Sequence, residues 1–159
     1  SFLVFNYRYL QPFTAQFKGS SNPRPAASSV AKSLQIVDPT GNIKAELNVE
    51  IAYTDEKRSK GLGYRAFLAT DSGMLFIHET PKQYTYWMKG MEIPLDIMWV
   101  MDDTIADIIP NIPPPIKGQT EDTLERYSST VDVNRVLETN AGFVEQYNIQ
   151  IGDKIIFDQ

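Results

Sequence analysis

Five side chains stand out because they are charged or amphipathic within otherwise apolar motifs: Arg65, Trp87, Lys89, Asp96 and Glu138. Two cations, two carboxylates and an indole on one concave surface would suit a carbohydrate or an anionic small ligand. The indole offers a stacking face to a sugar ring, and the arginine offers a bidentate fork to an anion. We therefore expect these five residues to form a ligand-binding site in a non-catalytic binding or accessory module for a carbohydrate or cell-envelope component.

Two other interpretations use the same residues. In the first, Arg65 or Lys89 neutralises Asp96 or Glu138 in an ion pair that only holds the fold, and the chain is a purely structural module. In the second, Asp96 and Glu138 are the catalytic pair of a glycan hydrolase, since such enzymes place two carboxylates roughly 5 to 10 Å apart. The sequence does not give that separation, so all three functions stay open.

The stretch WMKGMEIPLDIMWV, residues 87–100, predicts two strand-like runs on either side of a turn. Alternation places Trp87 and Lys89 on one face of the first run. In the second run it places Asp96 on the face of Met98. A carboxylate with such apolar neighbours is expected to be mostly buried and to accept a hydrogen bond from a cation or a backbone donor.

The rest of the chain predicts an α+β fold that is mainly β: a compact curled sheet or small barrel of about eight strands with two short helices. Residues 34–38 and 43–51 predict a hairpin, because the second run alternates without a break. Further strands recur at about ten-residue spacing; they are predicted at 73–79, 84–89, 94–101, 104–112, 131–138 and 154–157. Thr54 predicts the start of a helix over 55–62, and Asn140 that of a helix over 140–147.

Composition excludes several function classes. The 159 residues carry a formal net charge of −5; because the first 33 residues contribute +4, the rest carry −9, and such an acidic body disfavours nucleic acid as a partner. The chain has no cysteine, and His78 is its only histidine, so no metal site is expected. Neither a Gly-x-Ser-x-Gly nucleophile motif nor a glycine-rich phosphate loop occurs, and no cofactor is expected.

The sequence predicts one globular domain over residues 34–159, preceded by an apolar segment and a flexible linker over residues 1–33. Residues 1–13 are rich in aromatic and aliphatic side chains but too short to span a bilayer. We expect this segment to be the remnant of a membrane anchor or signal region, or to mediate self-association by docking on a sheet edge or a neighbouring copy. Either way, the expected location of the domain is extracytoplasmic, secreted or membrane-anchored.

The order of motifs resembles the bacterial and archaeal family called domain of unknown function 192. The motifs are Thr54 with Arg58 and Gly61-Leu62, then Arg65, Gly73-Met74-Leu75-Phe76, Trp87-Met88-Lys89, Pro94-Leu95-Asp96-Ile97, Val136-Leu137-Glu138, Ala141-Gly142 and Gly152-Asp153. The resemblance covers about Val49 to Phe157. It implies a compact β-rich fold, often behind a signal peptide or membrane anchor, and it supplies no activity.

The chain departs from the family pattern in three places. Gly63 stands where the family usually has methionine, and Gly90 stands where it usually has asparagine. Many relatives also place two cysteines in the loop that corresponds to residues 115–127, and this chain has none there.

Overall fold

The computed structural model describes residues 31–157. The predictions for residues 1–30, including the docking of the apolar segment, fall outside this range. Nine strands and two helices are assigned in the described range; the strands are β1 (Lys32–Val37), β2 (Ile43–Ala52), β3 (Ser72–Lys82), β4 (Thr85–Tyr86), β5 (Leu95–Met101), β6 (Thr104–Ile112), β7 (Tyr127–Ser128), β8 (Val133–Asn140) and β9 (Lys154–Phe157), and the helices are α1 (Asp55–Lys60) and α2 (Phe143–Gln146). A single 3₁₀ turn spans Glu121–Thr123.

Seven of the strands close into a barrel in the order β1-β2-β3-β8-β5-β6-β9, with β9 pairing back to β1. All neighbouring pairs are antiparallel except β2 and β3, which are parallel and are connected through α1. Such a parallel pair needs a crossover connection, and α1 lies in it. The predicted mainly-β small barrel with two short helices is confirmed.

The β1–β2 hairpin is also confirmed, with Leu34 opposite Leu47 in its register. The carboxylate of Asp38 organises the turn by accepting hydrogen bonds from the backbone N–H groups of Thr40 and Asn42, both at 2.9 Å. Hydrogen bonds from the side chains of Asn42 and Thr40, together with these backbone bonds, hold the pKa of Asp38 well below its usual range. β1 begins at Lys32, two residues before the predicted start of the domain.

The strands carry two separate apolar cores on their two faces. The first core has members from all seven barrel strands and therefore fills the barrel; Leu47, Leu75 and Met98 belong to it. The second core lies on the opposite face of β3, β5 and β8, where Phe76 and Trp99 pack beneath residues 84–93 and the loop after α1. The barrel wall therefore has a covered outer side as well as a filled interior.

The first helix begins as predicted, and the second does not. Thr54 caps α1 as expected, since its side-chain oxygen accepts from the N–H of Lys57 at 3.2 Å. Asn140 does not cap α2: it ends β8 and donates from its side chain to the carbonyls of Leu68 and Ala69. The residue at the start of α2 is Gly142, whose φ is +86°.

The first half of the predicted 84–89 strand is present only as the two-residue β4, and Trp87 and Lys89 lie beyond it in irregular backbone. β4 pairs with β7, which is not among the strands that the sequence predicts. Between residues 31 and 157 there is no helix of the length and apolarity that crossing a membrane requires.

Candidate functional site

A cavity of about 570 Å³ opens on the covered outer side of the barrel. Its walls are α1 with the loop that follows it, residues 84–91, and the outward face of β3 and β8. Among the five residues predicted to form a site, Trp87, Lys89 and Glu138 line this cavity, whereas Arg65 and Asp96 do not. The structure therefore brings three of the five together.

Glu138 forms part of the cavity wall and is only 6% exposed. Its position follows from alternation along β8: Glu138 shares the outer face with Val136, while Leu137 points into the barrel. Within residues 31–157 its carboxyl group has no hydrogen-bond donor or cation, and burial raises its pKa to about 8. At pH 7 Glu138 is thus mostly a neutral carboxylic acid.

Aromatic side chains line the same cavity as this acid. Phe76 meets Tyr86 edge to face with ring centroids 5.2 Å apart, and His78 stacks on Tyr84 at 3.5 Å. Nε2 of His78 lies 2.9 Å from the hydroxyl of Tyr86. Burial, together with the nearby charges of Arg58 and Lys82, lowers the pKa of His78 to about 4. The imidazole is therefore neutral at pH 7.

The phenol of Tyr86 is held in its neutral form as well. Burial raises its pKa far above the usual range, and the adjacent Glu138 raises it further. Tyr86, His78 and Glu138 thus give the cavity three polar groups that are mostly uncharged at pH 7.

Trp87 has a different role from the one that the sequence suggested. The guanidinium carbon of Arg126 lies 3.7 Å from the centroid of its indole, and Nζ of Lys89 lies 5.2 Å from it. Lys89 also pairs with Glu121 at 2.7 Å. The indole therefore fastens the 113–130 loop to the cavity wall, and Arg126 already occupies one of its faces.

The predicted ion pair between the two cations and the two carboxylates is wrong. Arg65 makes a bidentate pair with Glu50 of β2, outside the cavity, and Lys89 pairs with Glu121. Arg65 therefore has a structural role: the bidentate pair between its guanidinium and Glu50 holds the loop after α1 against the barrel wall.

Asp96 is fully buried, as predicted, and its partners are backbone donors. One carboxylate oxygen accepts from the N–H of Asn111 at 2.7 Å and from that of Gly142 at 3.2 Å, and the other accepts from the N–H of Val144 at 2.8 Å. The prediction of a backbone donor is confirmed. Asp96 thereby links the end of β6 to the first turn of α2. The N–H groups of Gly142 and Val144 are available to it because N–H groups at the start of a helix have no intrahelical partner.

The two carboxylates that sequence reasoning paired as hydrolytic candidates lie on opposite faces of the sheet. Asp96 is opposite Thr139 in the β5–β8 register, and Glu138 is opposite Ile97. Opposed residues share a face and successive residues alternate, so Asp96 points towards the barrel interior and Glu138 towards the cavity. The structure does not place them on either side of one bond.

Comparison with protein families matches residues 36–157 to domain of unknown function 192, described as "Uncharacterized ACR". The chain belongs to this family. Comparison with curated proteins gave no match.

Two solved structures show the same domain. A crystal structure from Sinorhizobium meliloti 1021, described as a "putative transcription regulator", is 31% identical with a TM-score of 0.72, and the match covers 83% of this chain and 98% of that one. A protein of unknown function from Novosphingobium aromaticivorans DSM 12444 is 27% identical with a TM-score of 0.71, and the match covers 83% and 89% of the two chains.

Two departures from the pattern of the domain of unknown function 192 family lie side by side at the cavity. The N–H of Tyr64 donates to the carbonyl of Gly90 at 2.7 Å, and Gly63 precedes Tyr64 in the cavity wall. Gly90 has a φ of +68°, a conformation that glycine and asparagine accept. A Cβ atom there would lie 2.8 Å from the Tyr64 ring. In this chain the tyrosine ring therefore occupies the space that a side chain at position 90 would need.

Sequence reasoning missed the aromatic lining: Phe76, His78, Tyr84 and Tyr86. A signal was present in the run Tyr84-Thr85-Tyr86-Trp87, which concentrates aromatic residues next to a conspicuous motif. No group of three or more His, Cys, Asp or Glu side chains suited to a metal ion occurs between residues 31 and 157.

Proposed function

We propose that this domain is a non-catalytic binding module that takes a carbohydrate unit into the cavity above Glu138. The observation that carries the proposal is the neutral carboxyl group of Glu138, buried in an aromatic-walled cavity without a donor from the described chain. The carboxyl oxygens reach the open cavity, and a ligand that pairs with them replaces their hydrogen bonds to water.

The chemistry of the cavity suits a sugar. A protonated carboxyl group donates one hydrogen bond and accepts others, as sugar hydroxyls also do. The half-buried ring of Tyr86 offers apolar surface for the C–H face of a pyranose. The volume of about 570 Å³ falls in the usual range of small-ligand pockets and accommodates one or two sugar rings.

A binding role fits the carboxylates better than hydrolysis does. The other acid that lines the cavity, Asp55, is almost fully exposed at its rim and is paired with Arg58. Asp96 has both oxygens occupied by backbone N–H groups on the other face of the sheet. The geometry therefore offers no general acid and base flanking a glycosidic bond.

Glycan-array screening of the full chain, followed by titration calorimetry, tests this proposal. We expect saturable binding of at least one glycan class and a loss of affinity of about tenfold or more in Glu138→Leu, which removes both the donor and the acceptors. Glu79→Leu changes an exposed carboxylate on β3 outside the cavity and is the matched control. Absence of glycan binding, or unchanged affinity in Glu138→Leu, would refute the proposal.

The expected extracytoplasmic location is part of the same proposal. It is supported by the apolar composition of residues 1–13 and by the positive charge of the first 33 residues, which suits an anionic membrane face. Cell fractionation of the full-length protein tests it: recovery in the envelope or the medium is expected, and recovery only in the cytosol contradicts it.

A further inference from the structure

Three carboxylates are buried in the described part of the chain, and they differ in how they are neutralised. Asp96 accepts from three backbone N–H groups. Asp153 accepts from Nζ of Lys44 at 2.6 Å and from the N–H of Gln150 at 2.7 Å. Glu138 has neither kind of partner between residues 31 and 157. The fold thus satisfies two of its buried acids internally and leaves the acid in the cavity without a donor.

Two of the three cations that line the cavity are engaged with other groups. The guanidinium of Arg58 donates to the carbonyls of Tyr53 and Ile77 and pairs with Asp55. Lys89 pairs with Glu121 and lies over the Trp87 indole. The third cation, Lys60, is exposed, and no cation pairs with Glu138 within residues 31–157. A ligand can therefore bring a positive group to this carboxyl group.

We propose that the ligand carries a protonated primary amine that binds Glu138, which makes amino sugars the ligand class of this cavity. This inference rests on the proposed function. An ammonium group has three N–H donors, and its hydrogen bonds to a carboxylate are roughly twice as strong as those between neutral groups. The ring of Tyr86, which lines the same cavity as Glu138, attracts cations through its quadrupole. The net charge of the chain, −5, also favours a cationic ligand over an anionic one.

Binding of an amine has a proton-linked consequence that binding of a neutral sugar lacks. At pH 6 the free cavity holds Glu138 protonated, since its pKa is about 8. An incoming ammonium stabilises the carboxylate, so the proton of Glu138 leaves to the buffer. Affinity should then rise about tenfold from pH 6 to pH 7, because the deprotonated fraction rises tenfold over that interval.

The other groups that face the cavity do not obscure this effect. His78 on β3, with a pKa of about 4, and Tyr86 on β4, with a pKa far above 10, both stay neutral from pH 6 to pH 7. The remaining charged groups in the lining are at the rim or in the walls: Asp55, Arg58, Lys60 and Lys89. The variant Glu138→Gln keeps all of them and removes only the titrating carboxyl group.

Titration calorimetry of the full chain with glucosamine disaccharide and its N-acetylated counterpart tests the inference. At pH 6, in two buffers of different ionisation enthalpy, we expect release of about one proton on binding the amine. We also expect affinity about tenfold higher at pH 7, and about tenfold or more weaker binding of the N-acetylated form. Glu138→Gln should abolish proton release and the pH dependence, and Glu79→Gln should retain both.

The outcomes separate the two proposals. Equal binding of the two disaccharides without proton release overturns the amine inference and leaves a neutral carbohydrate as the ligand. Proton release that persists in Glu138→Gln also overturns it, since the proton then comes from another group. Failure of both disaccharides and of every glycan on the array overturns the proposed function together with the inference.

Discussion

Replacement of Glu138 by glutamine should stabilise the protein above neutral pH. In the folded protein the pKa of Glu138 is about 8, compared with 4.5 for the unperturbed group. The folded state therefore binds more protons than the unfolded state between these values. The contribution of this group to stability is complete below about pH 4.5, falls as pH rises, and is lost above about pH 8.

The size of this stabilisation follows from the difference between the folded and unfolded pKa of Glu138. A pKa difference of one corresponds to about 1.4 kcal/mol, so ionising Glu138 in the folded protein costs about 3 to 5 kcal/mol. The lower value applies if water enters the cavity. Urea unfolding of the parent and of Glu138→Gln, at intervals from pH 5 to pH 9, measures it. The difference in unfolding free energy between the two should grow with pH up to about 8 and then level off. Glu79→Gln is the control and should run parallel to the parent; a parallel curve for Glu138→Gln would refute the reasoning.

Two further predictions concern the frame of the barrel. Asp96→Ala leaves three backbone N–H groups without their acceptor and should lower the unfolding free energy by about 3 to 6 kcal/mol in urea titration. The control Asp132→Ala, at an exposed position, should change the unfolding free energy little. A loss under about 1 kcal/mol in Asp96→Ala would contradict the anchoring role of Asp96. Gly73→Ala should lower the unfolding free energy by about 1 to 3 kcal/mol in thermal or urea unfolding, because a Cβ at this position would lie 2.7 Å from the carbonyl oxygen of Glu138. A melting point equal to that of the parent would show that β3 and β8 move apart without cost.

The parts of the fold that the sequence predicted well are those with a long periodic pattern. The alternation along β2 assigned its buried face, and along β5, which is buried on both faces, it placed Asp96 on the same side as Met98. The β4–β7 pair was missed because each strand has two residues, and no alternation is visible over that length.

The candidate site was predicted in part, for a physical reason. The sequence marks Asp96 as a buried acid, but it does not mark its donors, because every residue except proline supplies a backbone N–H. The pairing of Arg65 with Glu50 depends on the crossover between β2 and β3, which local pattern does not specify. For Glu138, the decisive feature is a partner that is missing from its surroundings, and that feature appears only once the described side chains are in place.

The pairing of β1 with β9 constrains how this protein is made. Leu34, near the start of the described range, lies opposite Phe157 at its end, so the barrel wall is continuous only when the last strand has joined the first. During synthesis, β1 and β6 keep open hydrogen-bonding edges until residues 154–157 have left the ribosome. Closure of the barrel therefore waits for residues 154–157, and until they are available the nascent chain must be kept from pairing those edges with another copy.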